Sequence, residues 1–149
     1  MRLPMRTILG SIFAVALIMA AAGKLLAHGD VQSQPVDTTG LDPLGKEWRA
    51  ENPYREGDKK ILVLAIEIGS GAYNQNCARC HGLQGKSGGL APDLRFLEED
   101  AGGDEWYVER VRNGFHQNGV TKMPPYQDLL SQEALWCIRT YLDSLPEDD

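Results

Sequence analysis

Cys77-Ala78-Arg79-Cys80-His81 is the stretch on which the reading of this sequence turns. Two thiols three positions apart, with a histidine directly after, form the C-x-x-C-H arrangement by which haem is attached covalently to a chain. The spacing follows from the chemistry. The thiols add across two vinyl groups on one edge of the porphyrin, and one turn of backbone sets the sulfurs about that far apart. His81 is then carried beneath the ring, where its imidazole can bind iron from the proximal side. Two rival chemistries fit less well. A zinc site wants further ligands at regular spacing, and only the distant Cys137 with His116 or His28 could supply them. A thioredoxin-type dithiol follows a strand and precedes a helix, whereas here a helical pattern comes before and a glycine-rich loop after. Attachment also accounts for the odd number of cysteines, three, by consuming Cys77 and Cys80. Cys137 is left over, expected as a small buried residue of the last helix, with an intermolecular disulfide as the alternative.

Downstream, Met123 is the candidate for the opposite face of the iron. The other methionines, Met1, Met5 and Met19, all lie in the N-terminal segment. Pro124 pushes Met123 out of the helical region and Pro125 stiffens the loop further, so the thioether is presented from a rigid, extended segment. It follows His81 by 42 residues, enough chain to cross to the other side of a haem. His116, in the same loop, is the competing sixth ligand and would make a bis-histidine iron. A His/Met pair gives the higher reduction potential, because the soft thioether favours the ferrous state.

Around these residues the sequence predicts an all-α domain. Asp58 is a candidate N-cap for a helix running towards Cys77, with Ile61, Leu64, Ile68 and Ala72 at helical spacing. Its start is apolar all round, so a short strand within Ile61–Ile68 is the alternative. Four glycines and a proline between Gly82 and Pro92 predict a long loop, followed by a short helical turn around Leu94–Glu99. Asp104 is read as the N-cap of a helix over Glu105–Asn113 closed by Gly114, with Tyr107, Val108 and Val111 inward. Residues 115–128 read as a second loop. Ser131 caps the last helix, whose Leu135, Ile138, Leu142 and Leu145 fall three and four apart before Pro146.

Upstream, Arg2 and Arg6 precede an apolar run from Ile8 to Ala22, short for a membrane span but suited to a secretory signal. Residues 1–27 are therefore expected to be a signal peptide cut after Ala27, with cleavage near Ala22 or retention as an anchor as alternatives. Residues 28–57, rich in Pro, Gly, Asp and Thr, predict an extended arm pinned by Trp48 and Tyr54, and residues 58–149 the haem domain. Removal of the signal leaves 12 Lys and Arg against 21 Asp and Glu, a formal charge of −9. Such a surface argues against nucleic acid and suits a partner with a positive docking patch. Stable membrane insertion is not expected once the signal is gone.

With these residues in view, the stretch from about Ile61 to Leu145 resembles the class I cytochromes c. Gly69 and Tyr73 look like the N-terminal helix pattern of that fold, and Tyr141 like its aromatic partner on the last helix. Pro92 is similar to the family proline whose carbonyl accepts a hydrogen bond from the proximal histidine, which would orient His81. Three segments, Gln34–Gly40, Tyr73–Cys77 and Ser87–Arg95, are similar to the cytochromes c-550 that serve pyrroloquinoline-quinone (PQQ) alcohol dehydrogenases. That resemblance implies one covalent haem c per chain and a periplasmic one-electron carrier. It also implies a quinoprotein alcohol dehydrogenase as donor and a terminal oxidase or another cytochrome as acceptor. The alternatives are a carrier for a different periplasmic dehydrogenase, or a haem enzyme of peroxidase type using His116 for acid–base work. Arg95 and Trp106 are further candidates for contact with haem propionates.

Overall fold

Asp58 begins the regular structure, its carboxylate accepting the Lys60 amide at 2.7 Å to cap α1 (Lys59–Asn76). The computed structural model describes residues 33–146, so the expected signal segment 1–27 and His28 lie outside the described residues. The strand considered for Ile61–Ile68 does not form, since all of it belongs to α1. After Cys77 the chain makes one further turn, α2 (Ala78–His81), and a 3-10 turn at Leu83–Gly85. There follow α3 (Ala101–Asn113), strands β1 (Phe115–Gln117) and β2 (Val120–Met123), and α4 (Gln132–Asp143). Among the described residues no helix is long and apolar enough to cross a membrane.

The core forms where α1 packs on α4. Its seam is lined by the small residues Ala65, Gly69 and Ala72 with Tyr73 and Asn76, while the bulkier Ile61, Leu64 and Ile68 stay half-buried at the margin. Gly69 explains the choice. A Cβ there would lie 1.9 Å from the Cys137 carbonyl oxygen and 2.9 Å from the Tyr141 Cβ, so the helices touch backbone to backbone. One turn further on, the Tyr73 and Tyr141 rings pack with centroids 5.5 Å apart. Nearly all of α4 is buried, because α3 and the arm cover what α1 leaves open. Tyr107 of α3 donates its hydroxyl to the Leu135 carbonyl at 2.7 Å and stacks beside Trp136.

Three expectations are corrected here. The helix α3 starts at Ala101, capped by Asp100, whose carboxylate accepts the Gly103 amide at 2.8 Å. Asp104 is not the cap: it is fully buried and binds Arg55, Arg139 and the Asn52 amide. Tertiary partners captured the carboxylate that local pattern assigned to a helix start. The second correction concerns fold class. Part of the expected 115–128 loop is an antiparallel hairpin, so the domain is helical with a small sheet rather than all-α. Its turn is Asn118-Gly119, both at positive φ (52° and 75°), the pairing that closes two-residue hairpins. The turn around Leu94–Glu99 is likewise not helical.

From Ser33 onward the arm holds no helix or strand, and it is stitched down by α4. Gln132 accepts the Arg49 amide and donates to the carbonyls of Gly45 and Glu47, and Glu133 accepts the Leu44 amide at 2.7 Å. Tyr54 is buried; Trp48 is half-buried with the Arg112 guanidinium 4.9 Å over its ring. Arg55 then bridges Asp104 and Asp143, which also pair with Arg139.

Candidate functional site

The end of α1 carries the two thiols of interest. Cys77 falls at a break in the helix, and the amides of Cys80 and His81 both donate to its carbonyl, at 3.1 and 3.0 Å. That single turn sets Cys77, Cys80 and His81 in sequence around one axis. Gly82, at φ 81°, then reverses the chain; any side chain there would meet the Lys86 carbonyl at 1.9 Å. The Tyr73 hydroxyl donates to the Gly82 carbonyl at 2.7 Å and fastens this exit to the core. Cys77 and Cys80 are both half-buried and not joined to each other, and burial pushes the Cys77 thiol up to about 12.

His81 Nδ1 lies 2.9 Å from the carbonyl oxygen of Pro92. A carbonyl can only accept, so Nδ1 is the donor here, and Nε2 is the ring nitrogen left to face a metal. This is the arrangement by which protein groups ready an imidazole for a metal. The Pro92 segment is itself held. Asp93 binds Arg95 through two side-chain nitrogens and accepts the Ser87 amide, and Arg95 pulls the Asp93 carboxyl down to about 2. Arg95 is thus a partner of Asp93, and Trp106 lies largely exposed with the Arg110 guanidinium over its ring.

Met123 ends β2, opposite Phe115, and is half-buried against the core. His116 is exposed, and its Nδ1 pairs with the Thr121 hydroxyl across the hairpin at 3.1 Å. Met123 and His116 therefore differ in exposure, and only the methionine touches the core. Gly114 lets β2 come this close: at φ 70° and ψ −160° its Cα lies where a Cβ would be 2.3 Å from the Met123 carbonyl oxygen. Beyond the prolines, Tyr126 returns to the attachment segment, its hydroxyl donating to the Asn76 carbonyl at 3.1 Å. Sequence reasoning passed over Tyr126 and Asn76. The signal for the hairpin, Asn118-Gly119, was present.

These residues fit a haem. An imidazole with Nδ1 engaged by a carbonyl, two thiols one turn apart, and a soft thioether on a non-helical strand make a donor set suited to iron. Leu83 and Leu90, two positions from His81 and Pro92, expose apolar side chains beside this segment. The zinc alternative has no support: among the described residues no three His, Cys, Asp or Glu side chains gather as a metal site, and Cys137 is buried in the helix contact.

A small helical domain arranged in this way defines the class of c-type cytochromes. Comparison with known proteins agrees. The family profile described as cytochrome C oxidase, cbb3-type, subunit III matches residues 65–142. The chain is 62% identical over 124 residues to cytochrome c550 of Pseudomonas aeruginosa, covering 83% of this chain and 85% of that protein. It is 31% identical over 80 residues to quinohemoprotein alcohol dehydrogenase ADH-IIG of Pseudomonas putida, covering 54% of this chain but 10% of that enzyme. To the cbb3-type cytochrome c oxidase subunit FixP of Rhizobium meliloti it is 27% identical over 94 residues, 59% of this chain and 32% of that one. No solved structure matches significantly. The chain belongs to the cytochrome c family, and is accordingly a haem-iron electron-transfer protein rather than an enzyme. The peroxidase alternative is set aside on this ground.

Proposed function

We propose that this protein is a periplasmic electron carrier with one haem c, bound covalently through Cys77 and Cys80, its iron held axially by His81 and Met123. It accepts single electrons from a PQQ-dependent alcohol dehydrogenase and passes them towards a terminal oxidase or another cytochrome. The observation that carries this reading is the 62% identity to a cytochrome c550 along most of both chains. The match of about half the chain to part of a quinohemoprotein alcohol dehydrogenase adds support for the donor class. The signal-like pattern in residues 1–27, two arginines before an apolar run, is what supports export.

Haem iron supplies the one-electron couple, and a His/Met pair sets its potential high. The chain does the rest. Pro92 fixes the tautomer and rotation of His81 through the 2.9 Å contact to Nδ1. The β hairpin brings Met123 in from outside the helices, and the acidic surface steers a partner of opposite charge. Stopped-flow reduction by a quinoprotein alcohol dehydrogenase from the same cell tests the partner. Reduction is expected to be fast and to slow as salt rises, because exposed charges are screened beyond about 8 Å at physiological ionic strength. Failure with this donor, alongside rapid reduction by another periplasmic dehydrogenase, would replace the proposed partner.

A further inference from the structure

Asn76, immediately before Cys77, is a meeting point of three segments. It is 4% exposed. Its side-chain oxygen accepts the Gln34 amide at 2.7 Å and the Ser33 hydroxyl at 3.2 Å. Its side-chain nitrogen donates to the Ala72 carbonyl at 3.1 Å and the Gln34 carbonyl at 3.3 Å. With both ends of the amide engaged, the last residue of α1 is held in place from the arm and from its own helix. Its main-chain carbonyl belongs to the final turn of α1, where carbonyls lack intrahelical donors. The donor it finds is the Tyr126 hydroxyl, at 3.1 Å.

Tyr126 lies three residues beyond Met123, across Pro124 and Pro125, whose fixed φ angles leave little slack between them. Its amide donates to the Val111 carbonyl at 2.7 Å, in the last turn of α3. Gly114, just past that helix, lies against the Met123 carbonyl. The segment 123–126 is therefore pinned twice to the end of α3 and once, through the Tyr126 hydroxyl, to the end of α1 that bears Cys77.

We propose that Tyr126 is a positioning residue: its hydroxyl, bonded to the Asn76 carbonyl, ties the Met123 strand to the attachment turn and so holds the thioether against the iron. This rests on the reading that Met123 is the axial ligand. Phenylalanine at 126 keeps the ring and removes only the tie, so Tyr126→Phe separates positioning from packing.

The test is titration of the ferric holoprotein with imidazole, followed at the thioether-to-iron charge-transfer band. An imidazole nitrogen replaces the methionine sulfur on the iron, with no electron transferred. Tyr126→Phe is expected to bind imidazole roughly three- to tenfold more tightly than the unaltered protein, the scale of one lost hydrogen bond. Tyr107→Phe is the control, because it removes another buried hydroxyl bond, to the Leu135 carbonyl, away from the Met123 strand. It is expected to unfold at lower denaturant while its imidazole affinity stays within about twofold. If the band is present and Tyr126→Phe behaves like the control, with stability lowered and affinity unchanged, the positioning role is overturned alone. If the unaltered protein lacks the band, the Met123 reading falls, and the tie to it falls as well.

Discussion

Gly114 is the residue at which backbone geometry and the candidate site meet most directly. Its φ of 70° and ψ of −160° lie in a region that is essentially closed to residues with a Cβ. The contact with the Met123 carbonyl closes off the alternative of relaxing outwards. Gly114→Ala is therefore expected to lose about 2–4 kcal/mol by urea denaturation, combining strain with overpacking. On the proposed ligation by Met123 and attachment at Cys77 and Cys80, it should also weaken the thioether-to-iron band without loss of haem. His81 is a second case at this scale. Its proposed role as iron ligand rests on the C-x-x-C-H spacing, whereas the bond from Nδ1 to the Pro92 carbonyl, at 2.9 Å, belongs to the tertiary structure. Asp104 shows the opposite: a good local reason to cap a helix yielded to two arginines brought in from residues 55 and 139.

The contact of α1 with α4 is the element-scale decision that sets the fold. Helical periodicity identified both helices, with Ile61, Leu64, Ile68 and Ala72 at helical spacing in α1. The closest approach is instead made over Gly69, because only a missing side chain lets the Cys137 carbonyl sit where a Cβ would be 1.9 Å away. Gly69→Ala must push the helices apart and is expected to destabilise the protein by at least about 1–3 kcal/mol, read as a lowered midpoint in urea. Thermal unfolding of the same variant would show the Tyr73–Tyr141 packing loosened along with it. The hairpin is the element that period alone could not find. Its strands are three and four residues long and mostly exposed, so they carry no apolar alternation, and only the Asn118-Gly119 turn marks them.

Across the molecule, a buried cluster of two arginines and two aspartates joins the arm to α3 and α4. Burial raises the pKa of Asp104, but bonds from Arg55, the Asn52 amide and Arg139 outweigh it and hold the carboxyl below its ordinary value. The stability it contributes is therefore present above the ordinary carboxylate pKa of about 4 and is lost as pH falls through the lower folded value. At Asp143 burial wins over Arg139 and Arg55, and its pKa is raised. Its contribution has the opposite sign, being largest below about pH 4 and lost as pH rises through the folded value. Asp104→Asn is expected to destabilise the protein by about 3–5 kcal/mol near neutral pH, since it leaves Arg55 and the buried Arg139 with Asp143 as their one remaining carboxylate. Urea midpoints measured from about pH 3 to pH 7 should also show a smaller loss on acidification than in the unaltered protein.

What the sequence determined alone was the C-x-x-C-H motif and the existence of the three longer helices. The proposed haem attachment rests on residues adjacent in the chain, Cys77, Cys80 and His81, and amphipathic spacing needs only neighbours a turn away. The tertiary structure decided which side chains meet across long loops. It took the Asp104 carboxylate from helix capping to an ion cluster, set glycines where two backbones touch, and joined Tyr126 to Asn76 across 50 residues. Those choices depend on how separate segments pack, and packing is a property of distances that no local pattern encodes.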